Sequence, residues 1–146
     1  MAQQRVFEKP IEERIWVSNQ QTMIESMYLP KKCYRVYVTR NTDTYFKYLS
    51  NPFKLNDEFI QNDRNLVIAL FRLWFTHMLK NSSAKNPYKI AFQMLLKKLI
   101  NENRDIELVC YCKPKACHAD IIREFLIEEA KEQTTAHNKH MQNIDT

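Results

Sequence analysis

The segment Glu107-Leu-Val-Cys-Tyr-Cys-Lys-Pro-Lys-Ala-Cys-His-Ala-Asp-Ile-Ile-Arg-Glu-Phe-Leu126 carries three of the four cysteines of the chain and one of its four histidines. Cys117, with Lys113, Lys115 and His118 near it in sequence, has the electropositive surroundings that lower a thiol pKa. It is a candidate nucleophile. His118 would serve as its base or orient a ligand, and Asp120 would hold the imidazole or accept ribose hydroxyls. These three residues form the candidate catalytic set. The plainer alternative is a Cys-His pair that caps and packs at a helix start, with Asp120 complementing the helix dipole. Zinc is a third option, but structural zinc sites commonly use Cys-x2-Cys pairs with a second pair well separated, and here the spacing is tight. The expected cofactor is therefore none, with zinc as the alternative. If Cys110 and Cys112 lie in a strand they face the same side, and Cys110, like Cys33, reads as a small apolar group in packing.

The same stretch offers an anion site. Pro114 marks a turn between a short apolar run and residues at helical spacing, Ile121, Ile122, Phe125 and Leu126. Such strand-to-helix turns collect backbone N–H groups and the positive end of a helix dipole. Arg40 closes another candidate strand and would share a sheet edge with Lys113 if the two strands are parallel neighbours. A phosphate there would meet a fork donor and a point charge. Asn51 by hydrogen bonding, Phe53 by stacking on a base, and Cys112 complete the expected ligand-binding set. The counter-readings are a surface ion pair for Arg40 and core packing for Phe53.

The elements that must position these residues follow from periodicity. Arg14 to Ser18 and Cys33 to Arg40 have the β-branched and aromatic content of strands, and Leu108 to Cys112 is a third. Thr22 to Tyr28 reads as a short helix stopped by Pro30, and Tyr45 to Leu55 as irregular. A helix over Asp63 to Lys80 is predicted to bury Val67, Leu70, Phe71, Trp74 and Met78, with His77 as a partly buried structural histidine. Asn86-Pro87 signals the start of another, with Phe92, Leu95, Leu96 and Leu99 inward. The last helix is expected from Ala116 to Lys131. Strands alternating with helices predict an α/β fold: a small single-layer sheet of three to four strands, largely parallel, flanked by helices.

At 146 residues, 45% of them hydrophobic, the chain suits one domain over 14–131, between a flexible N-terminus, 1–13, and a flexible tail, 132–146. His137 and His140 fall in that tail and receive no role. No apolar run reaches membrane-spanning length and no signal-peptide pattern is visible, so the expectation is a cytoplasmic protein with thiols kept reduced. A net charge of +5 and a pI near 9.0 suit phosphorylated small molecules, nucleic acid or an acidic protein partner. Because no run of five or six basic residues occurs, nucleic acid is disfavoured as a partner. Glycine is absent, so turns that need positive φ must fall to Asn or Asp.

Tyr34-Arg-Val-Tyr-Val-Thr-Arg40, Leu49-Ser-Asn-Pro-Phe53, the Asp63-Arg64 helix start and Leu108 to Ile122 together resemble, in order, the blocks of domain-of-unknown-function family 4326. The resemblance covers roughly Trp16 to Leu126, its last block being the specific part. It implies a fold, a pocket and a small bacterial or phage protein, which would place the chain in the host cytosol if phage-encoded. Thr39, Ser50 and Ala119 stand where glycine is expected in the family pattern. Three functions are consistent with these observations. The first is capture of a nucleotide or nucleotide-derived signal at the carboxyl edge of the strands, for instance to sequester a signal in host defence. The second is a nucleotide-processing transferase or hydrolase using Cys117, His118 and Asp120. The third is an inhibitor that docks on a host protein through aromatic and arginine contacts.

Overall fold

Strand β3 (Asp105–Cys110) lies in the middle of a three-stranded sheet, flanked by β1 (Ile15–Asn19) and β2 (Cys33–Tyr37), and both pairings are parallel. The computed structural model describes residues 9–19, 33–39, 45–53, 63–81, 83, 85–110 and 117–144, with the backbone alone described for 19, 45 and 136–144. Among these residues the fold is the small parallel α/β layer that alternating strands and helices predict. The strand anticipated at Leu108 begins three residues earlier. Its first half was hidden because Asp105 and Glu107 alternate with Ile106 and Leu108, so the run does not read as continuously apolar.

That alternation divides the sheet into two faces. Ile106, Leu108 and Cys110 share one face with Ile15, Val36 and Val38, and these join the hydrophobic core with residues of the three long helices. The helices α2 (Arg64–Lys80), α3 (Pro87–Ile100) and α4 (His118–Ile144) contribute Phe71 and Phe75, Leu95 and Leu99, and Ile122 and Leu126, all fully buried. Each such side chain contributes about 1.5–3 kcal/mol by leaving water. The opposite face carries Trp16, Ser18, Cys33, Arg35, Asp105 and Glu107.

Caps fix where the helices begin. The Asp63 carboxylate accepts from the Leu66 N–H at 3.1 Å, and the Asn86 side chain accepts from the Tyr88 and Lys89 N–H groups ahead of Pro87 at the first helical position. In α3 the inward residues are those expected, joined by Ala91. In α2 the buried stripe is rotated: it runs Val67, Phe71, Phe75 at a spacing of four, leaving Leu70, Trp74 and Met78 only half-buried and His77 exposed. Leu73 on the far side is 71% exposed. Without a glycine, the left-handed conformation after α3 is taken by Asn103 at φ 53°.

Three further departures from the sequence expectation have simple causes. Tyr45–Leu49 is a 3-10 helix, not irregular chain, because Phe46 and Leu49, three apart, lie on one side of such a turn and both enter the core. A one-turn helix α1 (Ile11–Arg14) precedes β1, and Ile11 belongs to the core, so part of the expected flexible N-terminus is packed. Residues 132–144, read as a tail, continue α4: no proline or glycine interrupts the stretch, and its Glu, Lys, Gln and Ala are strong helix formers. The short helix expected over Thr22 to Tyr28 lies outside the described residues. No helix among those described is long and apolar enough to cross a membrane.

Candidate functional site

With β1, β3 and β2 parallel, their carboxyl ends lie along one edge of the sheet, and α4 starts there. Two contacts hold the start of α4 in place. Cys117 Sγ is 3.1 Å from Cys110 Sγ at the end of β3, and His118 Nε2 is 2.9 Å from the Val38 carbonyl just past β2. Because a carbonyl can only accept, Nε2 carries the proton and donates. The His118 ring also meets Phe71 edge-on, with centroids 5.1 Å apart.

Asp120 closes the first turn. Its Oδ2 accepts from the Cys117 N–H at 3.1 Å, while its own N–H donates to the Cys117 carbonyl at 3.1 Å. This is the returning half of a capping box, with the carboxylate at the positive end of a 27-residue helix. The three candidate catalytic residues are thus brought together. Cys117 is 3% exposed and His118 8%, and their contacts with Cys110, Val38 and Phe71 point into the protein.

Of the expected ligand residues, Asn51 and Phe53 sit further out. The Asn51 side chain accepts from the Phe53 N–H at 2.9 Å, an Asx turn that sets the Asn-Pro-Phe corner. Phe53 is partly buried and stands edge-on to Trp74 at 6.3 Å, Trp74 lies 5.8 Å from Phe71, and Phe71 borders His118. A row of rings therefore joins Phe53 to the start of α4. Arg40, Cys112 and Lys113 lie outside the described residues. Among those described, no group of three or more His, Cys, Asp or Glu is arranged to hold a metal ion.

A second polar cluster, on the face of the sheet away from the long helices, was not anticipated. Glu107 is fully buried, and Arg35 Nε donates to its Oε1 at 2.5 Å. Ser18 Oγ and Trp16 Nε1 donate to its Oε2 at 3.0 and 3.3 Å. Burial works against the charge of Arg35, but the hydrogen bond and charge of Glu107 outweigh it and raise the guanidinium pKa above its ordinary value. Nearby, burial first, then the charges of Glu107 and Asp105, push the Cys33 thiol up to about 11. The available signal was opposite charges embedded in two apolar strands, Arg35 in Tyr34-Arg-Val-Tyr37 and Glu107 in Ile106-Glu-Leu-Val109.

A family model described as Domain of unknown function (DUF4326) matches residues 20–128. The chain belongs to the DUF4326 family. No curated protein and no solved structure matches it. The DUF4326 match takes in β2, α2, α3, β3 and the first part of α4, whereas β1, with Trp16 and Ser18, precedes it. Two of the positions where glycine is expected in the DUF4326 pattern have side chains that fill space: Thr39 is buried and Ala119 fully so. At the third, Ser50 Oγ donates to the Lys47 carbonyl at 2.7 Å and finishes the 3-10 turn.

Proposed function

We propose that this DUF4326 protein binds a nucleotide or nucleotide-derived phosphorylated ligand at the carboxyl edge of its parallel sheet. The observation that carries the reading is the convergence of three parallel strand ends with the start of a long helix, fastened by the Cys117–Cys110 and His118–Val38 contacts. Open parallel sheets bind ligands beyond their carboxyl ends, where helix N–H groups favour anions. Arg40 and Lys113 follow the ends of β2 and β3 in sequence, and the net charge of +5 favours an anionic ligand. Asn51 and Phe53, joined to this edge through the Trp74 and Phe71 rings, would supply a hydrogen-bonding and a stacking group.

Binding is favoured over turnover by the engagement of each candidate catalytic group. The Cys117 sulfur lies against Cys110, His118 Nε2 donates to a backbone carbonyl, and Asp120 accepts from the Cys117 amide. All three hold the corner together, which suits a rigid receptor more than an acid–base relay.

A thermal-shift screen of mono-, di- and triphosphate nucleosides, cyclic nucleotides and NAD tests the reading. At a concentration about 100 times Kd, a ligand adds about 2.7 kcal/mol to stability, a shift well within detection. At least one nucleotide should raise the Tm of the wild-type protein and fail to do so for Arg40→Ala. Consumption of that nucleotide on incubation would move the assignment to the enzyme reading. The absence of any shift at millimolar nucleotide would sink it in favour of docking on a protein.

A further inference from the structure

We propose that Cys110 and Cys117 are a redox pair that forms a reversible disulfide between the end of β3 and the start of α4. Their sulfurs are 3.1 Å apart, so an approach of about 1 Å reaches the S–S bond length of about 2.05 Å. A strand end and a helix start held in register by the Asp120 cap and the His118–Val38 bond keep the two sulfurs facing each other. The third described cysteine, Cys33, lies on the opposite face of the sheet.

The oxidant is an external disulfide of the glutathione class. The Cys117 thiolate attacks one sulfur of that disulfide. The external S–S bond breaks, one thiolate leaves and takes up a proton, and a mixed disulfide remains on Cys117. Cys110, deprotonated in turn, attacks the Cys117 sulfur and expels the second external thiol. Two protein thiols are oxidised by two electrons and one external disulfide is reduced to two thiols. At 1% and 3% exposure the two sulfurs react at a rate set by local opening of the corner.

The bond closes a ring from Cys110 to Cys117 that contains Cys112 and Lys113. If the proposed ligand site is correct, that ring carries two of its residues; the disulfide itself does not depend on that reading.

The full-length protein, treated natively with oxidised glutathione, is quenched with an alkylating reagent and digested with trypsin. Cleavage after Arg104, Lys115 and Arg123 places Cys110 and Cys117 in separate peptides, and fragmentation on either side of Tyr111 distinguishes Cys110 from Cys112. The expected product is the Cys110–Cys117 linked pair, with two of the four cysteines lost to alkylation and regained with dithiothreitol. The same linkage should form in Cys112→Ser, and the Tm should rise by several degrees on oxidation. Linkage through Cys112 instead, retention of four alkylatable thiols, or zinc held on both sulfurs in native mass spectra overturns the proposal. Nucleotide binding, measured separately on the oxidised protein, reports on the ligand site alone.

Discussion

Arg35 on β2 and Glu107 on β3 are direct register partners, and their side chains meet at 2.5 Å on the face of the sheet away from the long helices. A carboxylate with no exposure needs hydrogen-bond partners on both oxygens, and Ser18 and Trp16 of β1 add two donors on Oε2. One side chain thus ties all three strands together. Glu107→Ala should cost about 3–5 kcal/mol, because it leaves the Arg35 charge without its partner. The double variant Glu107→Leu with Arg35→Met should regain at least half of that. Urea denaturation measures both, and a single-variant cost under about 1 kcal/mol would show that the cluster contributes little.

Alkaline pH should weaken the fold through Cys33. Its thiol ionises near 11 in the folded protein against an ordinary value of 9.0, so the folded state retains a proton that the unfolded chain has lost between those limits. Stability from this group is complete below pH 9 and falls as pH rises toward 11, by up to about 2 kcal/mol. Denaturation curves from pH 8 to 11 should show this slope in the wild type and lose it in Cys33→Ala. An unchanged slope would assign the effect to other groups.

Asn86 fastens the end of α2 to the start of α3. Its Nδ2 donates to the carbonyls of Met78 at 2.6 Å and Asn81 at 3.1 Å, while its Oδ1 caps α3. Asn86→Ala should lose about 2–3 kcal/mol, the sum of a lost cap and orphaned backbone groups. Asn86→Asp keeps the cap without the donors and should fall between the two. Equal stability of Asp and Asn variants would assign the whole effect to the cap.

The distal part of α4 should be dispensable for stability. Among the described side chains of α4, Ala130 is the last in the core, and Thr134 Oγ1 donates back to the Ala130 carbonyl. Deleting 136–146 should change the unfolding free energy by less than about 0.5 kcal/mol while lowering the far-UV helical signal. A larger loss would mean that the segment packs on the domain.

Local chemistry made much of this readable in advance. The Asn86-Pro87 start, the inward face of α3, and a helix beginning beside Cys117 are dictated by caps and spacing within a few residues. What escaped depends on partners remote in sequence. Phe75 replaces Trp74 on the buried stripe because α2 is oriented by its neighbours, and a small rotation exchanges adjacent residues. Glu107 looked like the edge of a strand because its three donors, from β1 and β2, lie 72 to 91 residues away. At the candidate site, the clustering of Cys117, His118 and Asp120 was visible in the sequence, but the turning of His118 toward the Val38 carbonyl was not.

The order of the strands has a consequence for how the molecule is made. Among the described strands the central one is the last to emerge from a ribosome, so β1 and β2 cannot pair with it until Asp105–Cys110 has been synthesised. A nascent chain that ends at α3 lacks the strand that joins β1 to β2, and the sheet closes in one late event that bridges up to 91 residues.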